Sequence, residues 1–174
     1  EKELIAMLEE AEDGPTYSME EVDAYMRELL HPKNQIYLTG DTHGRFERII
    51  SFCERQQVQP ESSFIILGDV GLNYYGDRRD RRGKDALAQI PITFFCIHGN
   101  HEMRPSEELG YQVKEYHGGK VWVQPEYPNL VFAIDGEIYD FFGHSCIVIG
   151  GAYSVDKYYR LARDYNWFED EQPS

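Results

Sequence analysis

Between residues 35 and 100 the apolar positions fall into short unbroken runs, IYLTG (36–40), SSFIILGD (62–69) and ITFFCIHG (92–99). Between them, apolar residues recur every three or four positions instead. RFERIISFCERQ (45–56) places Phe46, Ile49, Ile50 and Cys53 on one helical face, and a charged helix is expected around DRRGKDALAQI (80–90). A strand that lacks polar alternation is covered on both faces, and helices joining parallel strands by right-handed crossovers supply that cover. The pattern therefore predicts a parallel α/β core. From about Val121 the texture is β-rich, with VWVQP, LVFAID, EIYDFF and SCIVIGGA as strands and DGE as a hairpin turn between two of them. No internal repeat stands out.

Residues 1–30 read as two short helices broken at DGPTY. In the second, Ser18 is an N-cap with Glu21 three residues on, a capping box, and Val22, Tyr25, Met26, Leu29 and Leu30 share one face. Two short helices cannot bury that face alone, so the main domain, a second copy or a protein partner is expected to meet residues 18–30. The expected organisation is an acidic helical extension over 1–34 and one domain over 35–174. A chain of 174 residues with 41% hydrophobic content is long enough for one ordinary core.

Composition narrows the function classes. The net charge is −14, and residues 1–30 hold ten acidic residues against Lys2 and Arg27. Binding to long nucleic acids draws on clustered Lys and Arg, so a large nucleic acid is a poor partner and divalent cations are good ones. No apolar run approaches the roughly 20 residues that span a bilayer, so no membrane partner is expected. The N-terminus has neither the basic start nor the apolar middle of a secretory signal, and without an initiator Met it reads as a processed or excised piece. Three widely spaced cysteines, Cys53, Cys96 and Cys146, suit buried thiols in a reducing compartment, which gives a cytoplasmic expectation.

The chemistry sits at the strand ends. The first strand runs into GDTHG (40–44), the second into GDVG (68–71), the third into HGNHE (98–102). Carboxyl ends of parallel strands lie along one sheet edge, where open α/β folds bind ligands. Asp41, His43, Asp69, Asn100 and His101 are thus expected to converge. They are oxygen and imidazole donors with no thiolate, a set suited to Mn, Fe, Mg or Zn. Taken singly, an Asp after Gly is a turn former or helix cap, and His43 or Asn100 an ordinary polar loop residue. Three such ends in order, each after an apolar run, argue against coincidence. A nucleotide switch is excluded, because neither a GxxxxGK[ST] loop nor a dinucleotide glycine fingerprint follows the first strand.

With GDTHG, GDVG and GNHE the chain resembles the calcineurin-like metallophosphoesterases, bacterial type, from about Gln35 to at least Tyr159. The resemblance implies an α/β fold with a β-sandwich core and flanking helices. It also implies a metal-dependent phosphoester hydrolase, a phosphomonoesterase or phosphodiesterase acting through hydroxide activated by two divalent ions (Mn, Fe or Zn). By the same resemblance Asp41 and His43 hold the first ion, Asp69 bridges both, Asn100 binds the second, and His101 protonates the leaving group or stabilises the phosphoryl oxygens.

Departures from the family pattern add further expectations. Only His117 and His144 follow His101, and neither stands in the contexts where the family places its remaining metal-binding histidines. A C-terminally truncated domain is expected, holding one ion or none. A phosphate-clamping arginine is not found in register; Arg104, just past GNHE, is the candidate, with Asn73 beside the substrate pocket. The alternative reading is a fold that has lost turnover and serves as a binding or scaffold module through its N-terminal helices.

Overall fold

The computed structural model of the chain describes residues 17–30 and 34–173. It divides into two units, Glu1–Pro32 and Lys33–Ser174. The described part of the first is α1 (Met19–Leu30) with the residues just before it. Its capping box forms: Ser18 Oγ accepts from the Glu21 N–H (3.2 Å), and the Glu21 carboxylate accepts from the Ser18 N–H (2.7 Å) and hydroxyl (2.9 Å). The helix expected before DGPTY lies outside the described residues.

The second unit is built on the three apolar runs. They form β1 (Ile36–Gly40), β2 (Ser63–Leu67) and β3 (Thr93–Ile97), parallel and in register, so that Gly40, Leu67 and Ile97 end side by side. The helices α2 (Glu47–Gln56) and α3 (Arg78–Ala88) make the crossovers. Beyond β3 come β4 (Gln112–Tyr116), β5 (Gly119–Val123) and β6 (Leu130–Ala133), completing a six-stranded sheet in the order β1-β2-β3-β6-β5-β4. Here β6 pairs parallel to β3, β5 runs antiparallel to β6, and β4 antiparallel to β5. A separate ribbon, β7 (Ile138–Phe141) with β8 (His144–Ile147), and a short α4 (Lys157–Ala162) follow.

Strand alternation sends side chains to two cores. Phe64, Ile66, Phe94, Cys96, Leu130 and Phe132 face α2 and α3, meeting Phe46, Ile49, Cys53 and Leu87. Ile65, Phe95, Val131 and Ala133 face the other way, onto Tyr139, Phe141 and Val148 around the β7–β8 ribbon. This is the expected mixed α/β architecture, a mostly parallel central sheet flanked by helices, with the ribbon as the second layer of a sandwich. Gly83 lets α3 come close: a Cβ there would lie 2.7 Å from the Phe46 ring.

Three local expectations need correction, and one strand gives no signal in the apolar pattern. The QVKEY strand β4 carries no buried position, so it has none of the apolar pattern that would reveal it; it pairs with β5 through a turn at His117–Gly118. The DGE turn does not make a hairpin of its neighbours, because β6 stays in the large sheet while β7 pairs with β8. The strand β1 is not covered on both faces: it is the sheet edge, and Leu38 is 64% exposed. Of the cysteines, Cys53 and Cys96 are buried but Cys146 is exposed on β8, and all three are free thiols. No helix among the described residues is long and apolar enough to cross a membrane.

Candidate active site

Because the three strands end level, the loops that leave them meet. The first loop is zipped to the second by main-chain bonds: the N–H groups of Asp41, His43 and Gly44 donate to the carbonyls of Gly68 (3.1 Å), Asp69 (2.8 Å) and Val70 (2.9 Å). The Thr42 hydroxyl adds a bond to the Val70 carbonyl (2.8 Å). The second loop is tied to the third through Gly68 N–H to the Ile97 carbonyl (3.1 Å). At two places the loops touch so closely that only glycine fits. A Cβ on Gly71 would collide with the Gly44 nitrogen, and one on Gly99 with the Asp69 nitrogen and carboxylate.

The candidate ligands themselves occupy unusual backbone. Asp41, His43 and Asp69 have φ of 56°, 46° and 45°, the left-handed region, which costs a non-glycine residue roughly 1–2 kcal/mol. The cross-loop bonds hold them there, and strain of this kind concentrates at functional sites.

The side chains converge accordingly. His43 Nε2 lies 2.8 Å from Asp41 Oδ1 and 3.9 Å from Asp69 Oδ2. One ligand atom each of His43, Asp69 and His101 falls within 4.8 Å of the others, and the His43 and His101 rings stand edge to face at 5.3 Å. The other Asp69 oxygen accepts the His101 N–H (2.9 Å). Asn100 Nδ2 donates to Ser154 Oγ (2.8 Å), which leaves its amide oxygen as the donor atom for a cation. Asp41, Asp69 and Asn100 line one hollow of about 350 Å³, and His43 and His101 the mouth of a larger one beside it.

Glu102 is a residue that sequence reasoning left without a role, although it is the last letter of GNHE. Fully buried, its carboxylate accepts from the N–H groups of Val70 (3.0 Å), Gly71 (2.9 Å) and Gly99 (3.2 Å), bolting the second loop to the third. Burial pushes its pKa up to about 7, against the pull of those three bonds. The signal for it was the acid itself, placed where three buried N–H groups lack partners, which a strand-by-strand reading does not count. Beneath the rim His98 is 3% exposed with neither ring nitrogen partnered, and burial drives its pKa down to about 3, so it is neutral.

The two residues expected at the substrate are placed as follows. Arg104 donates from Nη1 to Asp135 (2.7 Å), from Nε to the Asp170 carbonyl (2.8 Å) and from Nη2 to the carbonyls of Gly150 (3.2 Å) and Gln172 (3.1 Å). Its donors are spent on fastening residues 170–172 to the body. Asn73 is 2% exposed, and its Oδ1 accepts from Lys84 Nζ (3.0 Å) and the Tyr111 hydroxyl (2.8 Å). His117 binds the Asp140 carbonyl (2.7 Å) and stacks on Phe141, in the turn between β4 and β5 at the sheet edge opposite β1, and His144 opens β8.

The donor set fits a divalent cation. Ligand atoms about 2.0–2.2 Å from a metal lie roughly 3–4.4 Å from one another, and the distances of 2.8 and 3.9 Å from His43 Nε2 to the Asp41 and Asp69 carboxylates are close to that range. A model of the calcineurin-like phosphoesterases matches residues 35–174, and the chain belongs to that family. It is thereby, in general terms, a metal-dependent phosphoester hydrolase. No solved structure matches the chain.

Proposed function

We propose that the rim holds two divalent ions and that the chain cleaves a P–O ester bond over them. In this reading Asp41 and His43 hold one ion, Asp69 stands between the two, and Asn100 serves the second. When bound, such ions polarise the phosphoryl group and lower the pKa of a water to near neutrality. The observation that carries the reading is the meeting of His43, Asp69 and His101 donor atoms within 4.8 Å, from three separate strand ends.

The chain's own groups divide the remaining work. Asp69 supplies two differently engaged oxygens, one held by the His101 N–H, the other toward His43. His101 follows Asn100 directly and borders the larger hollow, where its imidazole is available to a leaving oxygen as proton donor. Ser154 and Glu102 are positioning residues: the first turns the Asn100 amide, the second fixes the two loops. Arg104 enters the proposal as a support of this arrangement, through the Gly150 carbonyl beside the Asn100 hollow, whereas Asn73, buried against Lys84 and Tyr111, is given no part in it.

The test is Mn-dependent hydrolysis of 4-nitrophenyl phosphate and its bis ester by the chain and by Asp69→Asn, with bound metal measured by elemental analysis. Metal-dependent turnover that collapses in the variant supports the reading. Turnover unaffected by Asp69→Asn, or an absence of metal binding, overturns it.

A further inference from the structure

The rim borders a hollow of about 700 Å³, far larger than a phosphoryl group requires. Ligand pockets for small molecules run about 300–1,000 Å³. It starts at His43 and His101 and extends between α2 and α3, so a group filling it would lie directly beside the rim.

Its walls have a definite chemistry. Phe46, Ile50 and Ala86 give it an apolar side. The Tyr74 and Tyr75 rings stand edge to face at 4.8 Å, and the Arg79 guanidinium lies 3.9 Å above the Tyr75 ring while paired with Asp77 at 2.9 Å. This corner is braced from behind. The buried Asp80 carboxylate accepts the N–H groups of Tyr75 (3.0 Å) and Gly76 (2.7 Å), the Tyr74 ring meets Phe168, and Asn166 donates to the Tyr74 carbonyl (3.0 Å). Flat rings and a guanidinium held in this way form a platform for a planar group.

Arg82 also lines the hollow and has no ion pair among the described residues. Its donors remain open to acceptor atoms on a ring edge. Glu47 adds a carboxylate to the same walls, and Asp77 neutralises Arg79, so the hollow does not favour a second phosphate.

We propose that this hollow receives the organic half of the substrate, and that the substrate class is a small-molecule phosphoester bearing a planar aromatic group within a nucleoside's length of phosphorus. The inference rests on the rim being a phosphoester site. It adds the ligand class that the side wall selects.

Adenosine 5′-monophosphate and glycerol phosphate carry the same phosphate on similar alkyl oxygens and differ in the ring. Calorimetric titration of each into the chain with Mn present reads the hollow without requiring turnover. Adenosine monophosphate is expected to bind at least about 10-fold tighter, the worth of one stacked base. Tyr75→Ala and Arg82→Ala, both at exposed positions, are each expected to cut that margin to about 3-fold or less. Equal affinities, no measurable binding of adenosine monophosphate, or a margin that survives both substitutions overturns the proposal. Failure of the phosphoester reading is separate: it appears as 4-nitrophenyl phosphate hydrolysis indifferent to metal and to Asp69→Asn, whatever the titrations give.

Discussion

The three strand-end loops and the C-terminal segment approach the same site but are held by different means. Asp41, Asp69 and His101 sit on loops joined by main-chain bonds in register with the sheet, with one buried carboxylate closing the seam. Residues 152–172 are held mainly by side chains: Arg104 to the Asp170 and Gln172 carbonyls, Glu171 to Ser154 N–H (3.0 Å) and Trp167 Nε1 (2.9 Å), and Ser154 on to Asn100. Main-chain bonds survive most substitutions, whereas a side-chain latch is lost with one residue. The first region thus fixes where the donors are, and the second adjusts the orientation of one of them.

Three substitutions sharpen that contrast. The largest effect is expected from Asp69→Asn, which keeps the bond to the His101 N–H but removes the carboxylate charge that the proposal sets against the ions; kcat/KM should fall by about 10²-fold or more with the circular dichroism spectrum unchanged. Glu102→Gln presents an NH₂ to backbone N–H groups that need acceptors. It should lower metal affinity about 10–100-fold and destabilise the chain by about 1–3 kcal/mol, read by metal titration and urea denaturation. Arg104→Ala should release residues 166–172, seen as faster amide exchange at Ala152 and Ser154, with a few-fold loss of activity through Asn100. If Arg104→Ala abolishes metal binding as completely as Asp69→Asn, the two regions are not distinct.

The smallest effect is a pH dependence away from the site. Burial holds the Lys84 pKa down at about 8, from an ordinary 10.5, against the opposing pull of Asp80. Above pH 8 the folded chain sheds this proton while the unfolded chain keeps it, so Lys84 contributes a rise in stability as pH climbs from 8 toward 10.5. The denaturation midpoint of the native chain should therefore gain on that of Lys84→Met between pH 7 and 9.

The sequence is most informative where burial and periodicity coincide. Continuous runs such as FIIL and TFFCI are covered on both sides, so β2, β3 and their level ends follow from pattern, and with them the meeting of Asp41, His43, Asp69 and His101. Lost from view are features that depend on partners far along the chain. The polar β4 owes its place to pairing with β5, and the β6 to β7 step passes between sheets rather than folding back. Arg104 reads as a free cation beside GNHE until Asp135, distant in sequence, is folded against it. Glu102 needed a count of orphaned N–H groups across two loops.

The turn between β7 and β8 has a meaning of its own. Two residues, Phe142 and Gly143, join the strands with φ of 54° and 86°, both left-handed, as a tight hairpin of right-handed twist demands. Asparagine is the residue that such a corner prefers before glycine, and a bulky ring is a costly choice there. The second layer of the sandwich is consequently spring-loaded at its tip, and an engineer seeking a hardier version of this fold would begin there.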